Sequence, residues 1–215
     1  MLFSYSDIFP VKTARFANVA FSNGSLPAGF LARISKLQPL SAPSDVKRYF
    51  VSPEESGQIC MLACMLGANR EIFFPKLEEE QMMTFDAIAT NLLHEHGYEV
   101  CQCDSDEEAV DKAQGLRNGS KQYPVHYSCS DTSGEKAFEE FYTDQERVEW
   151  NRFLSLGVIE EKTIPDKQKI RNLFGKLEVV FLKDDVSKDD VIDIIKAYLP
   201  NFEHIEKGKS LDSKM

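Results

Sequence analysis

The sequence predicts an α/β fold, and three observations carry that prediction. Apolar residues alternate between strand spacing and helix spacing from residue 11 to residue 128. Serine or threonine stands directly before several helical stretches, where it can cap a helix. The composition, with 42% hydrophobic and 11% aromatic residues among 215, is that of a globular protein. We therefore expect strands and helices to alternate around an apolar core.

The individual elements follow from local signals. Residues 11–20 fit a buried strand that ends at a turn over Ser22 to Ser25, and Pro27 then opens a helix. Ser52 and Glu55 form a capping box ahead of another helix. In order, we expect strands at 11–20, 46–51, 72–77, 98–103 and 123–128, and helices at 27–37, 53–66, 85–96 and directly after Ser105.

The pattern changes near residue 134. Helices are predicted at 135–142 and 144–155, and the charged, poorly patterned residues 160–172 indicate a linker or a strapping segment. The remaining signals are Thr143 with Glu146 ahead of the second helix, a strand at 177–182, Ser187 as the cap of a last helix that Pro200 ends, and a polar tail from His204. We accordingly divide the chain into an α/β part, 1–142, and a C-terminal, mainly helical extension with one strand, 143–215.

Charge and composition exclude several classes of partner. The net charge is −10 with a pI near 5.0 and no basic stripe, which disfavours nucleic acid and anionic membranes. No apolar stretch approaches the roughly 20 residues of a membrane span. The opening residues MLFSYSDIF lack the basic and long apolar regions of a secretory signal. Five cysteines without a CxxC pair favour a reducing, cytoplasmic setting, and the helical pair Cys60 and Cys64 is predicted to be core.

Several catalytic motifs are missing from the sequence. It contains no GxGxxG loop, Walker A loop, HExxH pair or nucleophile elbow. His94 and His96 would project about 200° apart on a helix, so they cannot share one metal and are expected in solvent. None of the seven tyrosines is followed four residues later by lysine, so no YxxxK proton-transfer pair is present.

The residues suited to binding lie where the first strand ends. Asn18 can both donate and accept hydrogen bonds at that point, and ligands of open α/β sheets bind beyond strand ends. The turn from Ser22 to Ser25 exposes backbone amides, and Gly24 permits close approach of a phosphate or sugar. An asparagine before a tight turn also has a purely structural role in many proteins, and that alternative stays open.

These residues carry a family resemblance. The segment ARFANVAFSNGSL, residues 14–26, resembles the R-[FY]-[GA]-N-V-x-x-S-x-G-S segment of the polysaccharide-biosynthesis branch of extended short-chain dehydrogenases/reductases, which includes UDP-N-acetylglucosamine 4,6-dehydratases. The likeness continues through 46–51, 53–56 and 70–76, and through Ser133 to Lys136, where many members have R-P-G-E-K. It covers about residues 1–140, and residues 140–215 resemble the C-terminal extension of the branch that makes nonulosonate or capsule sugars.

The resemblance implies a set of site residues. Asn18 resembles the asparagine that contacts the nucleotide sugar, and Arg48 an arginine near its diphosphate, with a strand-edge ion pair as the alternative role. Glu135 resembles the glutamate that meets the ribose, although a helix-cap role is equally open. Thr132 replaces the arginine of R-P-G-E-K, which removes one diphosphate contact. The loop implied around the diphosphate and uridine consists of Asn23, Gly24, Ser25 and Leu26.

The same resemblance implies a function and a missing part. In the complete family enzyme, a Rossmann half binds NAD(P), and hydride leaves and returns to the sugar while water is eliminated. Residues 1–7 resemble the end of the helix that begins with YxxxK. The chain is thus expected to be a truncated nucleotide-sugar 4,6-dehydratase-like protein of surface polysaccharide (capsule, O-antigen or nonulosonate) biosynthesis. We expect it to bind a UDP-N-acetylhexosamine, to bind no cofactor and to be inactive alone.

Two other interpretations stay open. The chain could be a binding or regulatory module that completes a site with a separate nucleotide-binding chain, or an interaction protein or remnant that uses its C-terminal helices. The expected partners are a UDP-sugar and either the missing Rossmann half or a second copy. Without the Rossmann sheet, the strand at 11–20 would leave one edge and an apolar face uncovered, which predicts marginal stability or self-association.

Overall fold

The structure, a computed structural model, describes residues 1–130, 139–161, 163–202 and 204–205. It confirms the α/β prediction. The strands are β1 Thr13–Ala14, β2 Asn18–Val19, β3 Leu40–Pro43, β4 Lys47–Arg48, β5 Phe50–Val51, β6 Glu71–Pro75, β7 Met83–Thr84, β8 Glu99–Cys103, β9 Gln122–Ser128, β10 Val148–Glu149 and β11 Leu156–Glu160. The helices are α1 Leu26–Ser35, α2 Pro53–Leu66, α3 Phe85–Glu95, α4 Asp106–Lys112, α5 Lys167–Phe181 and α6 Lys188–Tyr198.

Two sheets organise these elements. The first has the strand order β1-β6-β11-β10, with β1 parallel to β6 and β11 antiparallel to it. The second is fully parallel, in the order β3-β9-β8. Two further pairs of short strands, β2 with β5 and β4 with β7, form outside these two sheets. The chain therefore moves from one sheet to the other within residues 13–51.

The parallel sheet carries the larger core. Phe30 of α1 and Leu93 of α3 pack with Leu40, Tyr123 and Val125 of the sheet, and all five are almost fully buried. The Tyr123 hydroxyl donates a 2.6 Å hydrogen bond to the carbonyl of Gln38, so burial leaves no unsatisfied group there. Burial raises the pKa of Tyr123 to about 12. This unit covers its apolar faces with its own helices.

The four-stranded sheet has a second core. Ile59 and Ala63 of α2 pack on Phe73, Leu156 and Val158, while Ile72, Phe74 and Ile159 form a cluster with Phe3, Phe141 and Val148. A Cβ atom at Gly157 would lie 2.2 Å from the Phe74 ring, so only glycine fits opposite that side chain. Strand β11 is thus tightly fitted to β6.

Local signals correctly predict the starts of several helices. The Ser52 hydroxyl accepts from the amide of Glu55, and the Glu55 carboxylate accepts from the amide of Ser52, which completes the predicted capping box. Ser187 and Asp190 form the same box at α6. Ser25 caps α1, whose proline lies in its first turn. These short-range hydrogen bonds explain why the helix starts were predictable.

The predicted strand 11–20 is wrong as one element. It consists of β1, which pairs with β6, and β2, which pairs with β5, and residues 15–17 between them turn away from the first sheet. The amide of Arg15 still donates to the carbonyl of Phe73, whereas Asn18 donates to the carbonyl of Tyr49. The alternation of apolar residues continues across this change of partner, so the pattern alone could not reveal it.

Two C-terminal predictions are also wrong. Residues 144–155 are not a helix, because they contain β10, which pairs with β11 of the four-stranded sheet. Residues 177–182 are not a strand, because α5 continues through Phe181 and buries Ile170 and Val180 on one face. Half of the predicted helix 135–142 lies outside the described residues, and 139–142 are not helical. The boundary at 142/143 stays a prediction, although the described part of 143–215 has two strands, β10 and β11, rather than one.

Helix α2 differs from its predicted role. Cys60 and Cys64 are exposed rather than part of the core, because α2 turns only Ile59 and Ala63 fully inward. Met61, Met65 and Leu66 are exposed on the same helix. Across the described ranges, every helix is too short or too polar to traverse a bilayer. The polar tail predicted from His204 falls almost entirely outside those ranges.

Candidate functional site

Two of the sequence-predicted site residues converge on one carboxylate. The Nδ2 atom of Asn18 donates a 2.9 Å hydrogen bond to Oε1 of Glu139, and Nε of Arg48 lies 3.6 Å from the same oxygen. Asn18 and Glu139 are 121 residues apart in sequence, so the fold alone brings them together. The cluster defined by Asn18, Arg48 and Glu139 is the candidate binding site, and we call it the Asn18 cluster.

Local structure fixes both donors of this cluster. Strand β2 places Asn18 opposite Phe50 of β5, and the Asn18 amide donates to the carbonyl of Tyr49 at 3.1 Å. Arg48 belongs to β4, and its side chain is only 11% exposed. Because burying a charge without a partner is costly, Arg48 needs the carboxylate that faces it. The ion pair given as the alternative role of Arg48 is therefore present, and its role near a diphosphate stays a prediction.

A second ion pair holds the segment that carries Glu139. The Arg15 guanidinium donates to both carboxylate oxygens of Glu146, at 2.9 and 2.6 Å, and to the carbonyl of Phe141 at 3.0 Å. The Thr143 amide also donates to Glu146. The hydrogen bond from Arg15 is the largest cause that holds the pKa of Glu146 below its usual range. Residues 139–146 thus form a strap that crosses the end of β1, and we refer to them as the strap.

A cavity of about 650 Å³ lies beside the strap. Its aromatic wall includes Tyr49 and Tyr142. Burial, followed by the charges of Glu79, Glu78 and Glu80, raises the pKa of the Tyr49 hydroxyl, which remains a neutral hydrogen-bond donor near neutral pH. The charged residues of the lining are one lysine and five acids: Lys47, Asp45, Glu79, Glu139, Glu140 and Asp144.

This arrangement determines what the cavity can hold. Carboxylates accept hydrogen bonds from ligand hydroxyl groups, and aromatic rings provide apolar contact area, as in sites for polar small molecules. The acidic lining repels an anionic group. Of the Asn18 cluster only Glu139 belongs to this lining, and its carboxylate oxygen faces the Asn18 amide and the Arg48 guanidinium. No group of three or more acidic, histidine or cysteine side chains within the described ranges could hold a metal ion.

The predicted loop lies apart from the cavity lining. Gly24 has a φ of +79°, and the Ser25 amide donates to the carbonyl of Ser22 at 2.9 Å, so the turn forms as predicted. Asn23 and Gly24 are exposed, whereas the Ser25 hydroxyl accepts from the amide of Ala28 as the cap of α1. Leu26 begins the helix. The binding role of these four residues stays a prediction, and Glu135 lies outside the described residues.

Sequence reasoning missed Glu139 and Tyr49. Glu139 was hidden because its only local signal, a helical pattern over 135–142, concerns secondary structure and not contacts. Tyr49 was visible as the neighbour of Arg48, and alternation along 47–51 could have placed Lys47 and Tyr49 on one side of the strand. No sequence spacing links Tyr49 or Glu139 to Asn18. Tyr49 contacts Asn18 through the pairing of β2 with β5, and Glu139 reaches Asn18 from the strap.

Comparison with known proteins gives a family and structural relatives. Residues 5–146 match the family model described as polysaccharide biosynthesis protein. The X-ray structure of Pen from Bacillus thuringiensis is similar with a TM-score of 0.51 and 16% sequence identity, over 78% of this chain and 50% of that chain. The chain therefore spans about half the length of Pen, and the likeness concerns the fold. No curated protein matches the chain.

Proposed function

The chain belongs to the polysaccharide biosynthesis protein family, and from this premise we propose that it binds a nucleotide sugar, specifically a UDP-N-acetylhexosamine. The diphosphate would displace the Glu139 carboxylate from Asn18 and Arg48, and the sugar hydroxyls would contact the acidic lining of the cavity. In this proposal the chain is the substrate-binding part of a 4,6-dehydratase-like protein of surface polysaccharide biosynthesis.

The Asn18 cluster is the observation that carries the proposal. An asparagine and an arginine from different strands hold one anionic oxygen at 2.9 and 3.6 Å. A phosphate oxygen has the same charge and the same hydrogen-bonding needs as that carboxylate oxygen. Since Glu139 comes from the strap, the strap can withdraw it without disturbing β2, β4 or β5. The donors would then be ready for an anionic ligand.

The acidic cavity supports a hydroxyl-rich group next to the anion. Asp45, Glu79 and Asp144 can each accept hydrogen bonds from hydroxyls, whereas a second phosphate in the same place would be repelled. Tyr142 is 41% exposed, so its ring is available for contact with a ligand. A nucleotide sugar offers both an anionic diphosphate and neutral hydroxyls, and so meets both parts of the site.

Catalysis would require groups from outside these 215 residues. The family resemblance implies NAD(P), but the residues present do not fit that cofactor: the turn between β2 and α1 contains only Gly24, and a dinucleotide cradle needs several glycines to let the pyrophosphate approach the helix. The sequence also has no YxxxK pair. We therefore propose that hydride and proton transfer come from another polypeptide segment or chain, and derive no step through the cofactor.

A second candidate function is a module that joins a separate nucleotide-binding chain. It is favoured by the first sheet, in which β1 is an outer strand, and by the neighbouring helix α2, where Met65 is 73% exposed. An unpaired strand edge beside exposed apolar side chains can accept another sheet. Both candidates use the same sugar-nucleotide site and differ only in where the remaining half originates.

Calorimetric titration with UDP-N-acetylglucosamine tests the proposal. Asn18→Ala removes one hydrogen bond to the ligand, which typically contributes 0.5–1.5 kcal/mol, so we expect affinity to fall by about three- to tenfold. Asn118→Ala is the matched control, because Asn118 is an exposed asparagine outside the Asn18 cluster. It should leave the affinity unchanged.

Two results would count against the proposal. One is the absence of binding heat at millimolar UDP-N-acetylglucosamine with both the original chain and a chain whose Glu139 is replaced by glutamine. The other is equal weakening by Asn18→Ala and Asn118→Ala, which would place the ligand elsewhere. Addition of a separately expressed nucleotide-binding chain would distinguish the two candidates, since only the module interpretation predicts a stable complex between the two chains.

A further inference from the structure

One short segment of the chain holds both ends of the strap. Asn18 binds the carboxylate of Glu139 at the start of the strap. Three residues earlier, Arg15 binds both carboxylate oxygens of Glu146 at its end and the carbonyl of Phe141 in between. We call these contacts of the Arg15 side chain the Arg15 clamp. The clamp thus restrains the strap at two points that do not belong to the Asn18 cluster.

The aromatic ring of Phe141 fixes the middle of the strap. It contacts the rings of Tyr49 and Phe74, with centroid distances of 5.4 and 6.0 Å. Phe141 lies two residues after Glu139, so the backbone beside this carboxylate stays near the Asn18 cluster even when the carboxylate leaves it. Glu139 is therefore a tethered competitor of any anion that binds at the Asn18 cluster.

Glu139 has room to move when it is displaced. Residues 139–141 line both the acidic cavity and a second cavity of about 460 Å³, whose other lining residues are 14–16. The Glu139 side chain is already 30% exposed. Rotation of this side chain can therefore exchange its protein donors for water, while the strand pairs that carry those donors stay intact.

Occupation of the Asn18 cluster by Glu139 lowers the apparent affinity of the site for an anionic ligand. Such a ligand binds only the fraction of molecules in which the donors are open, and the apparent dissociation constant rises by the inverse of that fraction. A carboxylate carried on the strap has a high local concentration, which favours the closed form. Any contact that restrains the strap in this arrangement adds to the effect, and the Arg15 clamp is such a contact.

We propose that the Arg15 clamp holds the strap closed, so that Glu139 competes with the diphosphate of the ligand for the donors of the Asn18 cluster. This inference rests on the proposed function for the identity of the ligand. Arg15 and Glu146 are then positioning residues, which act on the ligand only through Glu139. Their effect is opposite in sign to that of a ligand contact, because loss of the clamp increases the affinity.

Calorimetric titration with UDP-N-acetylglucosamine measures the effect on affinity. Glu139→Gln should raise the affinity about threefold, which corresponds to a site that is closed in about two thirds of the molecules. Arg15→Ala and Glu146→Gln should each raise it about twofold, because each breaks the clamp from one side. In a chain that already carries Glu139→Gln, the same two changes should have no further effect, since the competing carboxylate is gone.

The ligand-free chain gives a second measurement that does not depend on the proposed function. The side-chain amide signal of Asn18 in a nitrogen-15 NMR spectrum reports its hydrogen bond to Glu139. Glu139→Ala gives the position of this signal without that hydrogen bond. Arg15→Ala and Glu146→Gln should each move the signal part of the way to that position, because they increase the open fraction.

Arg147→Ala is the matched control, because it removes a neighbouring exposed arginine whose partner is Glu160 of β11. It should change neither the Asn18 signal nor the affinity. An unchanged Asn18 signal in both clamp variants would overturn the proposal, and so would unchanged or weaker binding of the ligand by them. If no variant binds the ligand but the signal moves as expected, the clamp is supported and the sugar-nucleotide site is wrong.

Discussion

The two sheets of this protein differ in how completely they are covered. The parallel sheet β3-β9-β8 has Leu40, Tyr123 and Val125 almost fully buried beneath α1 and α3. The sheet β1-β6-β11-β10 also has a core, but β1 is an outer strand and α2 exposes Met61 and Met65 beside it. The parallel sheet is covered by the protein's own helices, whereas the four-stranded sheet and α2 leave apolar side chains exposed. The proposed module function places a partner chain on the β1 and α2 side for this reason.

The largest expected effect comes from breaking the completed core. Leu93→Ala removes a fully buried side chain from α3 and should lower the free energy of unfolding by about 2–5 kcal/mol. Met65→Ala, on the exposed face of α2, should change it by less than about 0.5 kcal/mol. Urea unfolding at low protein concentration measures both. A similar loss of unfolding free energy in the two variants would contradict the difference between the two sheets, because it would mean that α2 is already covered in the isolated chain.

A smaller effect concerns the strap, which the ion pair of Arg15 with Glu146 holds at the end of β1. The pair is partly exposed, so Arg15→Ala should cost about 1 kcal/mol of unfolding free energy at neutral pH. The pKa of Glu146 is lowered in the folded state, which means that its contribution is complete above the unfolded value near 4.5. That contribution is lost as the pH falls through the lower, folded value.

The pH dependence gives the measurement. The difference in unfolding free energy between the original chain and Arg15→Ala should be constant from pH 7 to about pH 5, and should shrink as the pH approaches 3. Urea titrations at these three values are sufficient. A difference that grows on acidification would show that the ion pair does not stabilise the strap.

The smallest effect is a gain in affinity. Glu139→Gln keeps a hydrogen-bond acceptor near Asn18 but removes the charge that competes with a diphosphate, so UDP-N-acetylglucosamine should bind about threefold more tightly. Asp144→Asn is the matched control, because it removes a charge from the same cavity away from Arg48. Weaker binding by the Glu139 variant than by the control would show that this carboxylate contacts the ligand directly.

The sequence predicted the features that depend on neighbouring residues. Ser52 with Glu55 and Ser187 with Asp190 cap their helices through hydrogen bonds three residues apart, and these bonds need no distant partner. Asn18 was selected from its place at a predicted strand end and from the family resemblance, and Arg48 from the resemblance alone. Their approach to one carboxylate depends on strand pairing that no local pattern records.

The failures have tertiary causes. The run of residues 177–182 has strand-like composition, yet it lies in α5 because its neighbours bury Ile170 and Val180 along a helical face. Glu146 lies three residues after Thr143, as in a capping box, but its carboxylate binds Arg15 and the chain enters β10. In both cases a distant partner outweighs the local preference. Glu139 was missed for the same reason.

The most direct test of the sugar-nucleotide site observes Asn18 itself. Its side-chain amide signal can be assigned in a nitrogen-15 NMR spectrum by its loss in Asn18→Ala, and the chain can then be titrated with UDP-N-acetylglucosamine. We expect this signal to move progressively to saturation while that of Asn118 stays fixed, because the diphosphate replaces Glu139 as the acceptor. An Asn18 signal that remains unchanged while the ligand binds would contradict the account.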